Sequence, residues 1–265
     1  MNFEPPPSML RLDPGLFGAG EVIGVVGSGR IGFALTSPFD CNVYLIVSGG
    51  EAVLVDAGSG LATEEIVASI SSLQSTTRFD LRRIFLTHSH ADHSAGAAGL
   101  KAALGPEVAA PKISAAALRR GDRDASVFSA AVQAGSYPPE FDYPAIPVDV
   151  EVSDGDRFSF GDLTLEAIAA PGHAYDHTVY LLRAKGGLPP ALFAGDLLLS
   201  DGRVLIQASW DCRLDEYAAT IERLDRLAIG ALLPGHGTFL CGGGAYVIER
   251  VRRQFATLVP PPHLA

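Results

Sequence analysis

Positive charge is what this sequence has least of. Lys and Arg total 20 against 30 Asp and Glu, for a net charge of −10. The mean field of such a chain repels polyanions, which argues against nucleic acid or an anionic membrane surface as a partner. Charge of either sign is scarce, at 19% of residues against about 25% in ordinary globular chains. With 48% hydrophobic residues, the balance favours burial over disorder. Cysteine is rare too. Cys41, Cys212 and Cys241 form no CxxC pair and are odd in number, so no disulfide framework is expected. No apolar run reaches the roughly 18–20 residues that a membrane-crossing helix needs. The opening MNFEPPPSML has neither the basic nor the apolar region of a secretory signal, so the expected location is the cytoplasm. There is no sequence-level repeat. A length of 265 residues then allows one large α/β domain or two small ones.

Glycine (29) and proline (18) are plentiful and mark many turns. Between them, strand-like runs are expected at Glu21–Val26, Ile31–Leu35, Cys41–Val47, Ala52–Asp56, Arg83–Leu86 and Glu107–Ala110. Helical spacing is read at Thr63–Leu73, from about Ala95 to Leu104, at Ser114–Arg120 and at Ala125–Ala134. Ser136–Pro147, with four prolines among Tyr137, Phe141 and Tyr143, is expected to be a loop or an extended crossover. Strands resume at Val148–Val152, Arg157–Phe160, Leu163–Ala169, Thr178–Arg183, Ala191–Ala194 and Ala231–Leu233. Helices are expected at Asp215–Leu227 and Tyr246–Leu258. Strands followed by helices, twice, suggest two packed sheets with helices outside.

Gly27-Ser28-Gly29-Arg30-Ile31-Gly32 fits GxGxxG and comes after an apolar strand. A dinucleotide site needs a helix to start there and take the pyrophosphate at its N-terminus. Phe33-Ala34-Leu35-Thr36-Ser37 is instead another strand-like run, ended by Pro38, so a β-hairpin turn is the expected reading.

The chemistry is carried by histidine. His88, His90, Asp92 and His93 lie within six residues directly after a buried strand. A loop there can aim His88 and His90 at one metal, while Asp92 and His93, where a helix begins, face a second. A polar surface loop would not gather three of the seven histidines in one place. Downstream lie His173 in Ala-Pro-Gly-His, Asp196 in Phe-Ala-Gly-Asp and His236 in Leu-Pro-Gly-His-Gly, each after a strand. Singly each reads as a loop residue or a cap. Their weight comes from succeeding the HxHxDH cluster in order.

That order resembles the metallo-β-lactamase superfamily, from Val-Asp-Ala-Gly at 55–58 through the cluster to His236. The resemblance implies a four-layer αββα sandwich of two mixed sheets with outer helices. It implies one domain over 1–265, with two similar halves joined near 136–147. His88, His90 and His173 would bind one metal, Asp92, His93 and His236 a second, and Asp196 would bridge them. The implied cofactor is a pair of divalent ions, zinc first, with iron or manganese also possible. A metal-bridging hydroxide would attack an ester, thioester, lactone or similarly activated small molecule, with Asp92 orienting it. His177 matches a second histidine often present in the family and is assigned a supporting or proton-transfer role. Asp56 would orient a ligand histidine.

Branches of the family are narrowed by what is missing. Family β-lactamases carry Cys or Ser where Asp196 stands. Quorum-signal lactonases carry Tyr where Leu199 stands, and glyoxalase II enzymes a longer basic C-terminal region. Nuclease branches fit the acidic balance poorly. Persulfide dioxygenases, with one iron, match Gly202–Gln207 only in part. The same residues are also compatible with a hydrolytic dehalogenase of activated haloaromatics, or with a non-catalytic metal-binding protein. Candidate pocket walls are Phe39, Tyr137, Phe141, Tyr143, Tyr175 and Trp210. Substrate, metal identity, self-association and a lid role for 136–147 are left open.

Overall fold

The computed structural model describes residues 10–12, 21–138, 140–257 and 261–264. Pro139 of the expected loop and Leu258 of the expected closing helix lie outside them.

The first sheet has seven strands in chain order: β1 (Leu10–Arg11), β2 (Val22–Gly27), β3 (Val43–Ser48), β4 (Glu51–Val55), β5 (Asp80–Phe85), β6 (Glu107–Pro111) and β7 (Val150–Val152). It is antiparallel from β1 to β4 and parallel from β4 to β7. The second sheet is built from β8 (Arg157–Phe160), β9 (Leu163–Ala169), β10 (Thr178–Ala184), β11 (Ala191–Gly195) and β13 (Ala231–Pro234), in the order β13-β11-β10-β9-β8. Only β11 and β13 are parallel there. A two-stranded ribbon joins β12 (Val204–Leu205) to β14 (His263–Leu264). Among the described residues there are seven helices: α1 (Thr63–Gln74), α2 (Ala91–Ser94), α3 (Ala97–Leu104), α4 (Lys112–Arg120), α5 (Phe128–Gln133), α6 (Leu214–Asp225) and α7 (Gly244–Phe255).

The layering comes from strand periodicity. Successive side chains of a strand point to opposite faces, so a strand buried on both sides is apolar throughout. In β3, Tyr44 and Ile46 face the second sheet, in a core with Phe85, Tyr180 and Phe193. Val43, Leu45 and Val47 face outward, into a core that includes Ile66, Ile70 and Leu73 of α1. On the second sheet, Val179 and Leu181 of β10 pack with Tyr217 and Ile221 of α6 and Ile248 of α7. Three apolar layers therefore separate four structural ones, and the fold is the expected αββα sandwich. Helix α1 shows the local logic: Glu64 and Glu65 in its first turn suit the free N–H groups there. Ile66, Ile70 and Leu73 form its buried stripe, each worth about 1.5–3 kcal/mol when taken out of water. No described helix is long and apolar enough to cross a membrane.

Two expectations are corrected. Ile31–Leu35 is a turn, not a strand, and β2 pairs antiparallel with β3 rather than with this segment. Its hydrophobic residues are not alternating on a sheet face; Ile31 is 51% exposed. The helix expected from about Ala95 to Leu104 is α3, and a separate four-residue helix, α2, precedes it across Ala95 and Gly96, whose N–H donates to Gly58 O. The strand beyond the proline-rich loop, β7, belongs to the first sheet by pairing with β6, so the sheets part at 153–156, later than 136–147. A chain returning beside β6 extends an edge that already exists, which spacing along the sequence does not reveal.

Candidate metal centre

Every site residue sits just past the end of a strand. His88 and His90 come after β5, Asp92 and His93 open α2, and His173, Asp196 and His236 come after β9, β11 and β13. His90 is still extended (φ −61°, ψ 147°) as the chain enters α2. Extended residues two apart share a side, and the His88 and His90 rings lie 4.5 Å apart. All seven residues converge on one sheet edge and are buried or half-buried.

They form two groups, each with donor atoms within 4.8 Å of one another: His88, His90 and His173; and Asp92, His93, Asp196 and His236. In the first, His90 Nδ1 lies 3.1 Å from His173 Nε2. In the second, His93 Nε2 lies 3.1 Å from Asp196 Oδ1, and His236 Nε2 lies 3.0 Å from Asp92 Oδ2. Asp196 stands between the groups: its Oδ2 is 3.6 Å from His173 Nε2 and 3.4 Å from His236 Nε2. His88 Nε2, His93 Nε2 and Asp196 Oδ1 are buried with no hydrogen-bond partner. Buried polar atoms are normally satisfied. Inward-turned imidazole nitrogens and carboxylate oxygens left without partners fit divalent transition-metal ions in chemistry and number.

Contacts behind the site set which nitrogen faces in. His93 Nδ1–H donates to Asp56 Oδ2 at 2.8 Å. Asp56 also accepts from the Thr87 N–H at 2.8 Å and from the Thr87 hydroxyl. It holds a left-handed backbone (φ 63°), a strain kept in place by these bonds. His90 Nε2–H donates to Asp211 Oδ2 at 3.0 Å. His173 Nδ1–H donates to Leu205 O at 2.9 Å, and His88 Nδ1 lies 3.0 Å from the Thr87 hydroxyl. The inward atoms are thereby Nε2 of His88, His93 and His173, and Nδ1 of His90.

His177 is placed behind Asp196, whose backbone N–H donates to His177 Nε2 at 3.1 Å. It is 1% exposed and does not border the cavity, so this geometry is that of a support and offers no path for proton transfer to a substrate. Two residues escaped the sequence reading altogether. Asp211, in Ser-Trp-Asp-Cys, belongs to no motif, and only the fold brings it to His90. Cys41 is buried beside Asp56 and His93, close enough to form a third donor group with them. Burial pushes its thiol up to about 12, which leaves it a neutral neighbour instead of a thiolate ligand.

The electrostatics differ from residue to residue; in the first group Asp211 raises His90 against burial. Burial, and then the surrounding imidazoles, hold His88 well below the ordinary histidine value. Burial takes His173 down to about 4. Both are neutral imidazoles at pH 7, the form that binds metal. In the second group burial works in the same direction but is outweighed. Asp196 and Asp92 draw His236 up to about 10, and Asp196, Asp56 and Asp92 raise His93. Asp92 and Asp196 are held low against burial, chiefly by His93 and His236 respectively. This end of the site attracts positive charge.

A cavity of about 450 Å³ opens onto the centre, with His90, Asp92, Asp196 and His236 at its inner end. Phe39 and Tyr137 border it, as expected. Their rings are 5.9 Å apart, and the Tyr137 hydroxyl donates to Asp92 Oδ1 at 3.0 Å. Burial and the adjacent Asp92 raise Tyr137 well above the usual phenol value, so it remains a donor. The four remaining pocket walls expected from sequence are corrected. Phe141 and Tyr143 are buried behind the wall: Phe141 packs on Phe128, and Tyr143 donates to Ser89 O at 2.8 Å. Tyr175 and Trp210 pack on each other, centroids 5.1 Å apart, outside the lining, and Trp210 is 60% exposed.

A sequence model described as the metallo-beta-lactamase superfamily matches residues 36–236. Among curated relatives, an atrochrysone carboxyl ACP thioesterase of Aspergillus fumigatus is 27% identical over 200 residues, covering 75% of this chain and 51% of that protein. A beta-lactamase-like protein 2 homolog of Caenorhabditis elegans is 29% identical over 196 residues, covering 74% and 55%. Thioesterase pkgB of Emericella nidulans is 25% identical over 217 residues, covering 80% and 52%. The chain thus spans about half the length of these relatives. A metallo-beta-lactamase of Cronobacter sakazakii with a HARLDQ motif superposes with a TM-score of 0.69 at 20% identity, covering 96% of this chain and 94% of that one. The subclass B3 enzyme BJP-1 of Bradyrhizobium japonicum gives 0.64 at 23% identity, covering 89% and 90%. At that identity the likeness is one of fold.

Proposed function

The chain belongs to the metallo-β-lactamase superfamily, and from that membership we propose that it is a metal-dependent hydrolase of small, activated acyl compounds. Thioesters come first, ahead of esters and lactones. The observation that carries the reading is Asp196, which stands within 3.6 Å of His173 and 3.4 Å of His236 and so faces both donor groups. A carboxylate so placed can serve two ions at once. Thioesters rank first because two of the relatives are named thioesterases.

In this reading His88, His90 and His173 would hold one divalent ion and Asp92, His93 and His236 a second, with Asp196 available to both; zinc is our assignment. Ions held there would supply Lewis acidity and a water of lowered pKa. The chain's own residues do the rest. Asp56 and Asp211 fix His93 and His90 so that their inward nitrogens do not turn. Tyr137 holds Asp92 Oδ1, leaving Oδ2 toward His236. His177 anchors the backbone of Asp196. The walls at Phe39 and Tyr137 exclude bulk water on one side and leave room for a small acyl group. We propose a single domain acting on a free small molecule in the cytoplasm, with no nucleic acid partner.

The test is metal analysis of the purified protein joined to a substrate panel of thioesters, esters, lactones, haloaromatics and glutathione persulfide. Two ions per chain with thioester or ester turnover is expected. One iron with oxygen uptake on the persulfide, or halide release alone, would overturn the hydrolase reading. Tight metal binding with no turnover would favour a non-catalytic metal-binding protein.

A further inference from the structure

The glycine motif at 27–32 has no part in the metal centre, and no helix succeeds it. It forms instead the start of a closed loop between β2 and β3. The Gly29 N–H donates to Asp40 O at 3.0 Å, and the Arg30 N–H donates to Pro38 O at 3.1 Å. A Cβ on Gly29 would lie 2.4 Å from Asp40 O, so only glycine allows this closure. The far side is tied to the site, since the Gly237 N–H, next to His236, donates to Ile31 O at 2.8 Å. The loop thus holds Arg30 at a fixed place on the border of the cavity.

Among the described residues that border that cavity, Arg30 is the only Lys or Arg. Its exposed guanidinium has no ion pair among the described residues, whereas Arg119, Arg123 and Arg223 are each paired. The acid beside it does not neutralise it. Asp40 turns inward, taking the Ser59 N–H at 2.8 Å and the Ser59 hydroxyl on one oxygen and the Thr36 hydroxyl at 2.6 Å on the other. On a chain of net charge −10 this sets a free positive charge at the mouth of the cavity. The same cavity is apolar at Phe39, Val127, Phe128, Ala131 and Leu205. We propose that Arg30 is a specificity residue. It would pair with a carboxylate or phosphate carried by the substrate while an apolar acyl group lies along the Phe39–Phe128 side. Guanidinium is suited to both anions, because its planar fork can donate two parallel N–H bonds. The inference deepens the thioesterase reading by naming its substrate class, an amphiphilic acyl thioester with an anionic end.

The test uses thioethers, which cannot be hydrolysed, so binding is read without turnover. Three probes share a 2-phenylethyl group on sulfur: the N-acetylcysteamine thioether (neutral), the 3-mercaptopropionate thioether (carboxylate) and the coenzyme A thioether (phosphate). Each is titrated calorimetrically into the metal-replete wild type, Arg30→Ala and Arg30→Lys. For an exposed pair, Arg30→Ala should weaken the preferred anionic probe about threefold to tenfold, with neutral-probe affinity unchanged. Arg30→Lys should recover part of the loss, and raised salt should shrink it. The anionic probe that depends more on Arg30 identifies the source of the anion. Equal binding of all three probes by the wild type, loss of the neutral probe in step with the anionic ones, or no binding of any probe would overturn the proposal. If Arg30-dependent binding is found but the matching thioesters are not hydrolysed, the subsite stands and the hydrolase reading falls.

Discussion

Asp211→Asn removes one charge and keeps nearly the same shape. In the native chain the Asp211 carboxylate, 1% exposed, receives the His90 Nε2–H at 3.0 Å. That leaves Nδ1 facing His173 Nε2, 3.1 Å away. An amide at 211 can either accept or donate, so the ring is no longer held to one tautomer or one rotation. Loss of such a contact behind a ligand histidine weakens metal affinity by about 10- to 100-fold, or about 1.4–2.7 kcal/mol. The loss should fall on the group of His88, His90 and His173. Asp56→Asn is the counterpart, because Asp56 holds His93 of the other group and asparagine tolerates its left-handed backbone. Each variant would be loaded with zinc in competition with a chromophoric chelator, and the two stepwise affinities compared with those of the wild type. Asp211→Asn should weaken one step, Asp56→Asn the other. If both variants weaken the same step, or neither weakens any, the assignment of these carboxylates to separate groups is wrong.

Further expectations concern the same edge of the sheets. A Cβ on Gly235 would lie 2.5 Å from Asp196 Oδ1 and 2.6 Å from His93 Cε1, so Gly235→Ala should abolish binding at the second group while circular dichroism stays native; full metal content would contradict the packing. Tyr137→Phe keeps the ring contacts with Phe39, Phe128 and Phe141 but loses the hydrogen bond to Asp92. It should change stability by only about 1 kcal/mol and weaken the second group severalfold; a denaturant melt and the chelator competition check both. The chelator-treated protein should lose stability as pH falls from about 6.5 to 4. His173 stays neutral to about 4 in the fold, while the unfolded chain takes up its proton from 6.5, which amounts to about 3 kcal/mol. His88 and His177 act in the same direction. His236, raised to about 10, contributes stability that is complete below 6.5 and lost as pH rises through 10, so it adds no slope in the acid window. Urea midpoints that are flat between pH 6.5 and 4 would contradict this.

How far the sequence could be read depended on distance along the chain. The HxHxDH cluster was legible because a strand end and one turn of helix bring His88, His90, Asp92 and His93 together with no help from the rest of the fold. His173, Asp196 and His236 were legible only as a set, since each alone resembles an ordinary loop residue. Asp211 and Tyr137 meet their partners across 121 and 45 positions, and no local pattern marks such contacts. The aromatic loop showed its limits in the same way. Composition marked Tyr137, Phe141 and Tyr143 alike, and only packing separates the one at the cavity from the two behind it. Strand periodicity gave both sheets but misassigned Ile31–Leu35. Its apolar residues serve a hydrogen-bonded loop, in which backbone contacts, not alternating burial, fix the shape.

The central claim is that Asp196 joins two metal-binding groups into one hydrolytic centre. Its most direct test is the metal stoichiometry and phenylacetyl-thioester hydrolysis of Asp196→Asn beside the wild type, both loaded with zinc and desalted. The account predicts two ions and turnover in the wild type, and in the variant fewer than two ions with turnover lost in proportion or beyond. Two tightly held ions and undiminished turnover in Asp196→Asn would contradict it.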